Sequence, residues 1–203
     1  MNKLTQTAKR LDKFFHIMQI VTNVLWIGAL ACIGFLLVGV IFRLDPEMIG
    51  TGYESLELGF VELEIAQAHA PNKYLILAQA GGVLAFSSVF MFVAWQAVKE
   101  IRRILVPMIQ GEPFRSVVGQ GLKKLAKYSL VLGIIGNVTI LAEQIFTVFI
   151  LDLPSLLLSE KISHISFNYE FDLAFLVVAA VLLLTSYVFR YGEELQQLSD
   201  ETL

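Results

Sequence analysis

Three residues inside an otherwise apolar run, Asn137, Glu143 and Gln144, carry the chemistry that a membrane-embedded site needs. A carboxyl group among apolar side chains can take up a proton or a cation, and the two amides would line its path. An ionisable group within a span costs about 2.5–3.5 kcal/mol on insertion scales, so Glu143 is expected to face protein or water rather than lipid. The plainer reading, and the one favoured, is a protonated or hydrogen-bonded structural glutamate. Glu143 stands eight residues from Leu151, roughly 12 Å by helix rise, and the span holds no Lys or Arg to pair with it.

A second polar set lies near the N-terminus. Asp12, His16, Gln19 and Asn23 recur at steps of four, three and four, which places them on one helical face. They could form a proton or ligand contact. The expected reading is an amphipathic entry helix at the membrane interface, with this face toward water.

Other chemistry is excluded by residue type or spacing. His16, His69 and His164 fall in separate segments, and Cys32 is the single cysteine, so neither a metal site nor an intramolecular disulfide is expected. Residues 44–73 carry Asp45, Glu47, Glu54, Glu57, Glu62 and Glu64, but singly spaced acids make a poor calcium site. There is no G-x-S-x-G, H-E-x-x-H, Walker loop or G-x-G-x-x-G, and Gly119-Gln120-Gly121 lacks the strand that a nucleotide fingerprint needs before it. No catalytic residue and no cofactor is expected, and the chain is not expected to be an enzyme. A net charge of -3 argues against direct binding of nucleic acid.

The elements that must position these residues are lipid-spanning helices. Of 203 residues 56% are hydrophobic and 16% charged, with a mean hydropathy of +0.69. Soluble domains carry about 25% charged residues, and a soluble chain of this size could not hide so much apolar surface. Spans are expected at about 20–42, 75–98, 128–151 and 173–189. The first is read as an uncleaved span, since its apolar run is too long for a signal peptide.

Between the second and third spans, Lys99–Lys127 holds Lys99, Arg102, Arg103, Arg115, Lys123, Lys124 and Lys127, seven of the fifteen Lys and Arg. Such a cluster marks the cytoplasmic side. With both termini inside, twelve basic residues fall in inner segments, and Arg43, Lys73 and Lys161 in outer ones. The connector at 99–127 is expected to be a helical hairpin broken at Gly111 to Pro113, its second helix starting near Phe114. The tail, 190–203, carries a short helical stripe at Leu195 and Leu198.

The outer loops, 43–74 and 152–172, alternate with period two: Leu56, Leu58 and Phe60, then Val61, Leu63 and Ile65, and later Ile165, Phe167, Tyr169 and Phe171. The expected fold is therefore a single-domain all-α integral membrane protein. It has four transmembrane helices and a small extracytoplasmic β-sheet formed by the two outer loops.

The stretch GEPFRSVVGQGLKKLAKYSLVLG, the ending FRYGEELQQLSDETL and the outer LELGFVELEIA together resemble the bacterial four-span membrane proteins catalogued as domain of unknown function 2975. The resemblance covers nearly the whole chain. It implies the bacterial inner membrane and no established activity, and a neighbouring helix-turn-helix regulator as the kind of partner. On that footing the candidate partner-binding residues are Arg102, Arg103, Phe114, Arg115, Lys123 and Lys124 of the connector, with Gly192, Leu195, Gln196 and Asp200 of the tail. The first functional expectation is a regulatory or sensory membrane protein that contacts a cytoplasmic partner. The alternative is a small transporter or channel subunit, in a homo-oligomer, using Glu143 and Asn137.

Overall fold

A computed structural model of the chain describes residues 3–42, 55–58, 61–64, 73–112, 114–150 and 171–201. Four long helices make up nearly all of it: α1 (Lys3–Ile41), α2 (Lys73–Gln110), α3 (Ser116–Ile150) and α4 (Ala174–Glu201). Each contains a stretch long and apolar enough to cross a membrane: Thr5–Gly39, Leu77–Gln110, Ser116–Phe146 and Ala174–Ser199. The shortest has 26 residues, or roughly 39 Å of helix against a hydrocarbon core of about 30 Å. Large apolar side chains such as Ile27, Phe35, Phe149 and Leu184 stand exposed along these helices. In water that would be untenable, whereas in lipid it is the expected outer surface. The architecture is that of a multi-pass integral membrane protein.

The helix ends differ from the sequence expectation in three places. α1 begins at Lys3, so the polar N-terminal residues are helical. α4 continues through Arg190 to Glu201, so the tail is the last three turns of a membrane-length helix. α3 begins at Ser116, which leaves Phe114 in the turn before it. The stop of α2 has a clear physical cause. Gly111 takes a φ of +87°, a conformation that costs any residue with a Cβ. Its N–H donates to Met108 and that of Glu112 to Pro107, so the last carbonyls are satisfied in a Schellman arrangement.

Contacts group the chain into two compact units, one of Met1–Ile27, Ser88–Asn137 and Phe171–Leu203, the other of Gly28–Ser87 and Val138–Glu170. The second contains an antiparallel strand pair, β1 (Ser55–Leu58) and β2 (Val61–Glu64). Its register places Leu56 opposite Leu63 and Leu58 opposite Val61 on one face, with Glu57 opposite Glu62 on the other. Of the expected third strand at 165–171, only Phe171 is among the described residues and it is not in a strand; His69 and His164 lie outside the described residues.

In the first unit the helices consecutive in the chain pack antiparallel. α1 meets α2 where Arg102 binds Asp12 and, further along, where Trp26 stacks on Trp95 and packs at a tilt on Phe92. Lys99 lies 5.4 Å over the Trp95 ring, a cation–π contact at the polar end of this aromatic cluster. α2 meets α3 where Glu100 approaches Lys124 and Ile104 packs on Gly121. α3 meets α4 along one face. As α3 advances from Gly119 through Ser129 to Asn137, its partners fall back from Ser186 through Phe175 to Asp172. Gly133 takes the Phe175 ring, while a Cβ at Gly136 would meet nothing within 4 Å. The same holds for Gly81 and Gly82 of α2.

Candidate functional site

α4 is held to the α2–α3 turn by one aromatic contact. Phe114 packs 5.8 Å from the Phe189 ring and lies directly over Gly192, where an added Cβ would come within 2.5 Å of Phe114 Cδ1. Gly192 is thus required by close approach. Deeper in the seam the Ser186 hydroxyl donates to the Gly119 carbonyl at 2.7 Å. Val118 and Ala126 are the most buried apolar side chains of α3. The turn and the polar end of α4 therefore form one continuous surface.

The cations on that surface have distinct roles. Arg102 points into the unit: Nε donates to Asp12 at 3.0 Å and Nη1 to Gln19 at 2.7 Å. This corrects the reading of the Asp12 face as water-facing, because two of its four residues are bound by an arginine from α2. His16, on the same face, is exposed. Arg103, one residue on, is turned about 100° around the helix and its side chain is 59% exposed.

Glu100 organises the next layer. Its carboxylate is only 12% exposed and lies 3.7 Å from Lys124 and 3.8 Å from Arg103. Burying it is tolerable because both cations neutralise it. Arg115 reaches Glu112 at 3.1 Å and Gln110 at 3.5 Å, both on the solvent side of the turn.

Two hollows flank the clasp. One, of about 240 Å³, lies between α3 and α4, with Ser116, Gln120 and Lys123 on one wall and Tyr187, Arg190 and Glu193 on the other. The other, about 210 Å³ and more open, is formed by Phe114, Arg115, Gln196 and their neighbours. Leu195 is exposed on α4 and lines neither hollow. The side chain of Asp200 lies outside the described residues.

Asn137 proves to be an architectural residue. Its Nδ2 donates to the carbonyls of Gly133 and Asp172, and its Oδ1 accepts from the Asp172 N–H at 3.1 Å. Asp172 in turn caps α4, its Oδ1 accepting from the Ala174 N–H at 2.8 Å. Glu143 is exposed on α3 and Gln144 half-buried, both within the second unit. No group of His, Cys, Asp and Glu among the described residues could hold a metal ion.

Sequence reasoning missed Glu100, Ser186 and Arg190 as members of this surface. Glu100 and Arg190 had local signals, an i,i+3 spacing to Arg103 and an i,i+4 spacing to Glu194, whereas Ser186 had none. No family model matches the chain, and neither does any curated protein or any solved structure.

Proposed function

We propose that this chain is a regulatory membrane protein of the bacterial inner membrane. Both termini lie in the cytoplasm, and the surface built from the α2–α3 turn and the end of α4 docks a soluble cytoplasmic protein. The observation that carries this reading is the Phe114 clasp over Gly192 and Phe189, which holds the turn and α4 as one preformed face. A preformed face binds without the cost of ordering it first. The surface also has residue types common in interfaces, exposed Arg103 and Arg115 on the connector and exposed Leu195 on α4. The basic cluster of the connector supports the inside assignment by charge asymmetry. The resemblance to the domain of unknown function 2975 supplies the kind of partner, a helix-turn-helix transcription regulator. By the same charge asymmetry the two outer loops lie outside and supply the sensing end of the device.

Arg103 and Arg115 serve as the probes because they are more exposed than Arg102, which ties α1 to α2, and because Arg103→Gln leaves Lys124 to neutralise Glu100. A photocrosslinker in place of Leu195 is expected to trap a soluble DNA-binding protein in cells. Arg103→Gln with Arg115→Gln should lower the yield roughly tenfold, at ~0.5–1 kcal/mol per rim charge. Equal yield from the double variant would sink the docking reading. A trapped set without any DNA-binding protein would sink the choice of partner. The transport alternative gains no specific support, since Asn137 spends its amide on backbone groups.

A further inference from the structure

The hollow between α3 and α4 has features that the docking reading does not use. Its α3 wall, Ser116, Gln120 and Lys123, and its α4 wall, Leu183, Tyr187 and Arg190, each follow helical spacing on the facing sides of the two helices. Lys123 and Arg190 supply two positive charges against the single carboxylate of Glu193. The hydroxyls of Ser116 and Tyr187 and the amide of Gln120 supply neutral donors. Arg190 also lies 3.5 Å from Glu194, but that pair is exposed on both sides and holds it only weakly.

The position of the groove decides the source of its ligand. From Ala174 to Phe189 α4 carries no charge, and Arg190 is the first. The groove straddles that boundary, with Leu183 at its apolar end, Arg190 at its polar end, and Lys123 level with Leu183 by the register of the seam. Tyr187, with its amphipathic ring, stands at the level where interfacial aromatics sit. A soluble anion would have no use for the apolar end, whereas an amphiphile with a phosphate head matches both.

We propose that this groove binds the phosphate of an anionic phospholipid headgroup, with Lys123 and Arg190 as its cations and an acyl chain running along Leu183. The site is independent of whether a protein docks on the neighbouring turn.

Native mass spectrometry of the full-length chain in detergent tests this, with phosphatidylglycerol and phosphatidylcholine of matched acyl chains added together. The wild type should retain phosphatidylglycerol in preference. Lys123→Gln with Arg190→Gln should weaken its retention about 25-fold, at about fivefold per charge, and leave phosphatidylcholine unchanged. Glu193→Gln should strengthen it about fivefold, a gain that misfolding cannot produce. Arg103→Gln with Arg115→Gln removes the same charge outside the groove and should leave the preference intact. The proposal fails if the Lys123/Arg190 variant keeps its preference, if the Arg103/Arg115 variant loses as much, or if Glu193→Gln brings no gain. Excess inorganic phosphate should not displace the lipid. Displacement would assign the groove to the free anion and overturn the lipid assignment.

Discussion

Gly133→Leu is expected to be the most damaging single substitution in the α3–α4 seam, costing about 1–3 kcal/mol. Any Cβ at this position falls inside the Phe175 ring. Phe175 cannot easily retreat, because its own carbonyl accepts from the Ser129 hydroxyl one turn away at 3.2 Å. One turn further on, Asn137 holds the Asp172 backbone from both sides. The start of α4 is thus fixed on either flank of the glycine, so steric overlap must be relieved by moving the helix. Between membrane helices, where lipid supplies no hydrophobic drive to associate, such close packing is a main source of cohesion. Unfolding of the purified protein in mixed detergent micelles should show the loss directly. Phe175→Ala in the same chain should return more than half of it, as expected when two substitutions share one space. A Gly133→Leu protein as stable as the wild type, or one that Phe175→Ala does not relieve, would contradict the close contact.

The second large effect is expected at Arg102. Its two hydrogen bonds, to Asp12 and Gln19, join segments 90 and 83 residues apart. Hydrogen bonds to a charged group contribute about 1.5–3 kcal/mol when buried. Here the arginine and aspartate side chains are 31% and 30% exposed, so screening lowers the expectation to about 1–2 kcal/mol for Arg102→Ala. Arg102→Lys should recover less than half, since an ammonium cannot reach both partners in the planar fork geometry. A double-mutant cycle with Asp12→Ala in the same detergent unfolding assay should give a coupling near ~1 kcal/mol that shrinks as salt is raised. Additive single effects would mean that the pair does not form in solution.

Arg102 and Arg103 also show where reading the sequence stops being informative. Composition and charge made both of them members of a basic connector, and nothing local separates adjacent arginines. One helical step of about 100° turns the first onto α1 and the second outward. The Asp12 face was legible as a polar face from its spacing, but its partner was not. A polar face has the same periodicity whether it meets water or an arginine from another helix. The four membrane-length helices, by contrast, follow from long uncharged runs, whose only stable backbone solution in lipid is a helix. The break at Gly111 was legible for the same local reason that the structure shows, a glycine placed where a left-handed residue is needed.

The end of α4 was less visible. Its polar composition reads as a tail, with Leu195 and Leu198 the only sign that the helix continues to Glu201. Gly192 carried no signal apart from the family resemblance, because its role is to make room for Phe114 from another element. The groove residues Lys123 and Arg190 lie 67 positions apart. Only the antiparallel seam, whose register Ser186 and Gly119 set, brings them to one hollow.

The account stands on the turn and the end of α4 forming one surface that faces the cytoplasm. Cysteine accessibility reads this most directly. In a Cys32→Ser background, Arg103→Cys and Leu195→Cys should react with a membrane-impermeant maleimide in inverted membrane vesicles and stay unlabelled in right-side-out ones. Leu58→Cys on the strand pair should show the reverse pattern. Labelling of Arg103→Cys or Leu195→Cys from the right-side-out face would contradict the account.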